Sequence, residues 1–88
     1  MKYKIELFKS AAREFSSLPK DVQARAVKIF NILQIDPFSE ILKIRKLKGH
    51  RDLFRIRVGD YRIIYKIEEP SILIVRIRHR KNVYENLS

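Results

Sequence analysis

The chain has 88 residues, a formal net charge of +10 from 20 Lys and Arg against 10 Asp and Glu, and no cysteine. A chain of that length makes one domain, residues 1–88, and buries only roughly 60 to 65% of its unfolded surface, so a second domain has no room. Without thiols there is neither a disulfide framework nor a thiolate metal site. No metal or other cofactor is expected, and the charge points to nucleic acid or an acidic protein, though basicity alone also suits a membrane surface.

Tyr3, Ile5 and Leu7 alternate with Lys4 and Glu6, the period of a strand with one buried face. Charges among these apolar residues exclude a signal-peptide core or a membrane span, and the chain reads as soluble and cytoplasmic. Ser10 is placed to cap a short helix carrying Ala11, Ala12, Phe15 and Leu18 on one side. Pro19 stops that run and suits the first turn of a second helix. Val22, Ala26, Ile29, Phe30 and Leu33 fall at i, i+4, i+7, i+8 and i+11, one apolar stripe that Asp36-Pro37 ends.

A loop follows over about 37–49, then three strands at about 53–58, 61–67 and 72–78, joined by Gly59-Asp60 and Glu69-Pro70-Ser71. Parity sends Phe54, Ile56 and Val58 under the helices, with Tyr61, Ile63, Tyr65 and Ile67, and with Leu73, Val75 and Ile77. Arg55, Arg57, Arg62, Lys66, Arg76, Arg78 and Arg80 take the other face. The fold class is α+β: an antiparallel sheet, made of the N-terminal strand and a three-stranded meander, packed against an N-terminal helix hairpin.

Charge is unevenly divided. Residues 45–81 hold twelve Lys or Arg against four Asp or Glu, so the sheet half carries most of the field. Any single arginine on an exposed strand face serves solubility and discourages edge pairing. Six across three adjacent strands repel one another and call for an anionic partner, for which a phosphodiester is suited. Arginine binds phosphate through a planar fork and stays charged, so it stabilises developing negative charge well and abstracts a proton poorly. There is no placed carboxylate pair, no Ser-His-Asp order and no Gly-rich phosphate loop, and His50 and His79 alone make no metal site. Tyr61 and Tyr65 share the parity of Ile63 and read as core. His79 follows Ile77, which makes it either a satisfied core or rim histidine or a proton-transfer group.

The segments Leu47-Lys48-Gly49, Leu53-Phe54-Arg55-Ile56-Arg57-Val58-Gly59-Asp60-Tyr61-Arg62-Ile63-Ile64-Tyr65 and Ile77-Arg78-His79-Arg80-Lys81-Asn82-Val83-Tyr84 closely resemble the RelE/ParE toxin superfamily, the RelE branch most nearly. The order of strand, helix hairpin and meander is also that family's, so the resemblance spans nearly the whole chain. It implies a type II toxin that enters the ribosomal A site and cuts the messenger RNA there, held in check by an acidic RelB-like antitoxin in a hetero-oligomer. Carried over by position, Arg55, Arg57, Arg62, Arg80 and Tyr84 are the implied catalytic set. The resemblance implies that Arg62 and Arg80 stabilise the phosphate, Arg80 near the leaving oxygen, and that Tyr84 stacks on or orients a nucleotide. Lys46, Lys48, Arg51, Arg76, Arg78 and Lys81 are the implied RNA and ribosome contacts. Members with lysines on the second strand can use one as general base. Here both positions are arginine, which does not deprotonate, so proton transfer falls to His79, Tyr84 or ribosomal RNA.

Three other functions fit the same residues: a ParE-like poison of DNA gyrase, a non-enzymatic DNA-binding module, and a toxin relic that only binds its antitoxin. The arginines and Tyr84 lean toward cleavage, and message-end mapping, salt dependence and growth arrest separate the four.

Overall fold

Where apolar and charged residues alternate at the start of the chain, β1 (Lys4–Leu7) forms, followed by α1 (Lys9–Ser16) and α2 (Lys20–Ile35). The computed structural model describes residues 2–50 and 52–87. Ser10 does not cap α1, as its position suggested; Phe8 stands at the N-cap and no side chain caps the end. The Phe8 amide is held by the Ile74 carbonyl at 2.9 Å, so the chain enters the helix directly from the sheet. Pro19 is the N-cap of α2, one position before its first turn. The Gln23 side-chain Nε2 donates to the Phe15 carbonyl at 2.8 Å and ties the end of α1 to the start of α2.

Val22, Ala26 and Leu33 of the expected stripe are buried, with Ile29 and Phe30 packed beside them. They pack with residues of β3 (Phe54–Val58), β4 (Tyr61–Glu68) and β5 (Ser71–His79), which join β1 and β2 (Arg45–Lys46) in one sheet of order β1-β5-β4-β3-β2. The α+β class and the meander are as expected. The sheet differs in two respects: it has five strands, and β1 runs parallel to β5. A whole helix hairpin separates β1 from the meander, so no tight turn imposes antiparallel pairing. β2 is only two residues long, with Arg45 opposite Arg55, too short to show a period.

The face assignment also fails on part of β5. Tyr65 pairs with Ile74 and Ile64 with Arg76, so the register shifts around Val75. Such a bulge reverses the parity of everything before it. Ile72 and Ile74 therefore join the helix-side core, while Val75 turns to the other side; Ile77 keeps its expected place. That other side is not a bare charged surface. Leu47, Ile64 and Val83 form a second buried cluster where the C-terminal turns fold back over the sheet, with Leu53, Val75 and Leu87 against it.

Candidate nucleic-acid interface

Alternation along β3 and β4 places Arg57 directly opposite Arg62, and Arg62 opposite Arg78, so three arginines stand in one row across three strands. Arg62 is only 8% exposed. Its Nη1 donates to the carbonyls of Gly59 and Tyr61, each at 2.9 Å. Gly59 opens the two-residue hairpin turn with φ of +60°, a backbone glycine adopts freely, and so offers its carbonyl to the strand that follows. Burial pushes the Arg62 guanidinium below its ordinary pKa, and Arg57, Arg55 and Arg80 push it the same way, while the phenol of Tyr84 opposes them. All four groups therefore lie within electrostatic reach of one guanidinium.

Arg55 Nη1 donates to Tyr84 Oη at 3.1 Å. Arg80 continues from β5, with its amide bonded to the Asp60 carbonyl at 2.7 Å and its Nε 3.9 Å from the Asp60 carboxylate. The implied catalytic arginines and Tyr84 are thus brought together, with Arg62 at the centre and the others toward solvent.

The remaining cations divide. Arg76 is partly engaged by the fold: its Nη1 donates to the Val83 and Glu85 carbonyls at 2.8 and 2.6 Å. Burial, foremost, and the neighbouring Arg78 hold its pKa down. Arg78 is ion-paired to Glu14 of α1, whose other carboxylate oxygen accepts the Ile77 amide at 2.9 Å on the edge of β5 beyond β1. Both are among the implied RNA contacts, and one nitrogen of each is engaged within the fold, by the overlying turn and by Glu14. Lys46, Lys48 and Lys81 are exposed. Arg51 lies outside the described residues. Lys66 is paired with Glu68 at 2.9 Å.

His79 stands across the sheet from the arginines. It pairs with Tyr61 on β4 and meets its ring edge-on at 5.4 Å, while Nδ1 accepts the Lys81 amide at 3.1 Å. Two recesses flank Arg55. One, of about 630 Å³, lies between the β3 edge and α2 and is lined by Ile29, Ile41, Arg45, Arg57 and Arg62 among others. The other, of about 380 Å³, is lined by Lys46, Leu47, Lys48, His50, Arg55, Tyr84 and Leu87. Of these, Arg45 falls in the stretch whose pattern reads as loop, and the sequence marks His50 only as an insufficient metal ligand. The charge of Arg45, two residues before Leu47-Lys48-Gly49, was the only available signal.

A family model described as the ParE toxin of the type II toxin-antitoxin system, parDE, matches residues 5–84. Toxin RelE3 of Methanocaldococcus jannaschii is 31% identical over 93% of this chain and 96% of its own length. Toxin RelG of Mycobacterium tuberculosis is 31% identical over 96% and 98%. Among solved structures, a chain of the archaeal RelE-RelB complex from Pyrococcus horikoshii superposes with a TM-score of 0.79 at 32% identity, covering 94% of this chain and all of that one.

Proposed function

From the premise that the chain belongs to the RelE/ParE superfamily of type II toxins, we propose that it is a ribosome-dependent endoribonuclease that cuts messenger RNA in the A site. The observation that carries this reading is the gathering of Arg55, Arg57, Arg80 and Tyr84 around the buried Arg62. A surface under such self-repulsion is matched by a phosphodiester, whose negative charge grows during attack by the 2′-hydroxyl.

In this mechanism Arg62 is a fixed donor. Two carbonyls hold its Nη1, which leaves the rest of the fork for the phosphoryl oxygens. Arg80, more exposed and tethered to Asp60, meets the leaving 5′-oxygen. Arg55 orients Tyr84, whose ring stacks on a nucleotide. Lys46, Lys48 and Lys81 hold flanking RNA. Arg76, held through Nη1 by two carbonyls, and Arg78, paired through Nε with Glu14, also support the scaffold.

The partner in the cell is a RelB-like antitoxin, as in the RelE-RelB complexes of P. horikoshii and Methanococcus jannaschii. An acidic, partly disordered segment suits this field, and wrapping the arginine face both neutralises and blocks it. The decisive experiment is to map message ends in ribosomes after brief induction. Cuts at A-site codons in the wild type, lost with Arg62→Gln, support the reading; intact messages during growth arrest refute it. A second reading has one finding behind it, the family model's description as ParE. A supercoiling assay tests it, since a gyrase poison blocks supercoiling while leaving messages whole.

A further inference from the structure

Cleavage by 2′-hydroxyl attack needs a proton acceptor, and the two acceptors in the arginine cluster, Tyr84 and Asp60, each already face one of its guanidinium groups. Arg55, Arg57, Arg62 and Arg80 remain protonated at neutral pH. Tyr84 Oη already accepts from Arg55. Asp60 stands beside Arg80. His79, across the sheet, faces Tyr61. The chain has one other histidine, His50.

His50 lines the recess of about 380 Å³ together with Arg55 and Tyr84, the two groups that form the rim of the cluster. Its backbone is fixed on both sides: the amide donates to the Leu47 carbonyl at 3.1 Å, and the carbonyl accepts the Leu53 amide at 3.2 Å. Gly49, with φ of +82°, makes the turn that delivers it. The remaining lining is Lys46, Lys48, Leu47 and Leu87, so the charged and titratable groups facing the imidazole are three cations and the Tyr84 phenol. No carboxylate lines this recess among the described residues. Its volume and mixture of aromatic, aliphatic and cationic walls suit one nucleoside with its phosphate at Arg55.

We propose that this recess is a nucleotide subsite and that His50 is the general base of the cleavage, an inference that rests on the nuclease reading above. The 2′-hydroxyl proton passes to a free imidazole nitrogen of His50 as the O2′–P bond forms. The P–O5′ bond breaks, the 5′-oxygen takes a proton from water, and the products are a 2′,3′-cyclic phosphate and a 5′-hydroxyl. His50 then returns its proton to solvent. Imidazole is the side chain suited to this exchange near neutral pH.

The test is single-turnover cleavage of a defined message on programmed ribosomes at pH 5.5 to 8.5, with wild type, His50→Gln, His50→Ala and His79→Gln. We expect His50→Gln to lower the rate constant about 100-fold or more with little change in the half-saturating toxin concentration. The rise of rate with pH should flatten in that variant and persist in His79→Gln. Free imidazole should restore part of the His50→Ala activity, a readout that a merely structural role does not move. A wild-type rate and pH profile in His50→Gln overturns the assignment, as does a weakened half-saturation with an unchanged rate constant. A wild type that cuts no message refutes the nuclease reading itself, and this proposal with it.

Discussion

Arg55 and Tyr84, 29 residues apart in the chain, meet through a hydrogen bond of 3.1 Å that ties the middle of β3 to the C-terminal turns. The bond orients the phenol while the residue stays 42% exposed. Tyr84→Phe keeps the ring and removes the acceptor; Tyr84→Ala removes both. An exposed hydrogen bond contributes about 0.5 to 1.5 kcal/mol and base stacking about 1 to 3 kcal/mol. Cleavage on programmed ribosomes should therefore fall by roughly 3- to 10-fold in Tyr84→Phe and by roughly 10-fold or more in Tyr84→Ala. Equal losses in the two variants would remove the ring from the mechanism.

The Arg57, Arg62 and Arg78 row sets function against stability. Glu14 offsets the charge of Arg78, whereas Arg57 faces Arg62 directly. Like charges opposite each other on a sheet cost about 0.2 to 1 kcal/mol. Arg57→Gln should thus raise the urea midpoint while weakening cleavage. Salt should narrow the gap between variant and wild type, because it screens the repulsion in the parent. A lower midpoint in Arg57→Gln at low salt would show that Arg57 supports the fold instead.

How far the sequence foretold these features depends on the kind of signal each leaves. Periodicity gave the buried sides of α2, β3 and β4, since a stripe at 3.6 or an alternation at 2 survives in any tertiary context. It failed at Val75, because a single inserted residue reverses parity and leaves no mark in composition. Strand direction was equally hidden: the alternation of Tyr3, Ile5 and Leu7 says which side is buried and nothing about whether β1 runs with or against β5. Arg55, Arg57, Arg62, Arg80 and Tyr84 were legible as one group through motif and parity. The engagement of Arg76 and Arg78 was hidden because the carbonyls and the carboxylate that meet them come from the C-terminal turns and α1, distant in the chain.

Tyr65 gives the fold an alkaline limit. Its hydroxyl is buried and donates to the Pro37 carbonyl at 3.0 Å. Burial, and secondly the charge of Asp36, raise its pKa above the ordinary phenol value. A raised folded-state pKa means the unfolded chain releases this proton first. The contribution is complete below about pH 10 and declines at higher pH by about 1.4 kcal/mol per unit until the folded phenol also ionises. Tyr65→Phe should cost about 1 kcal/mol at pH 7, through the carbonyl left unpaired, and the difference should shrink or reverse above pH 10. Urea unfolding at pH 7, 9 and 11 measures this; a constant difference across the series would show that the phenol does not titrate with unfolding.

Arg76 acts on the site from a distance. By holding the carbonyls of Val83 and Glu85 it fixes the turn on which Tyr84 rides, and Val83 seals the same turn onto Ile64, both with no exposed surface. Val83→Ala removes two methyl groups from that small core and should cost about 1 to 2.5 kcal/mol. Arg76→Gln should loosen the turn with less effect on global stability, because the freed carbonyls can reach water. Both variants are expected to lower the cleavage rate as Tyr84→Ala does, and combining either with Tyr84→Ala should add little, since each works by misplacing the ring. RNA affinity should separate scaffold from contact. If Arg76 touched phosphate, its loss would reduce the salt slope of binding by about one; as a clamp, it should leave the slope unchanged. A reduced slope in Arg76→Gln, with Tyr84 still ordered by proton NMR, would return Arg76 to the RNA surface.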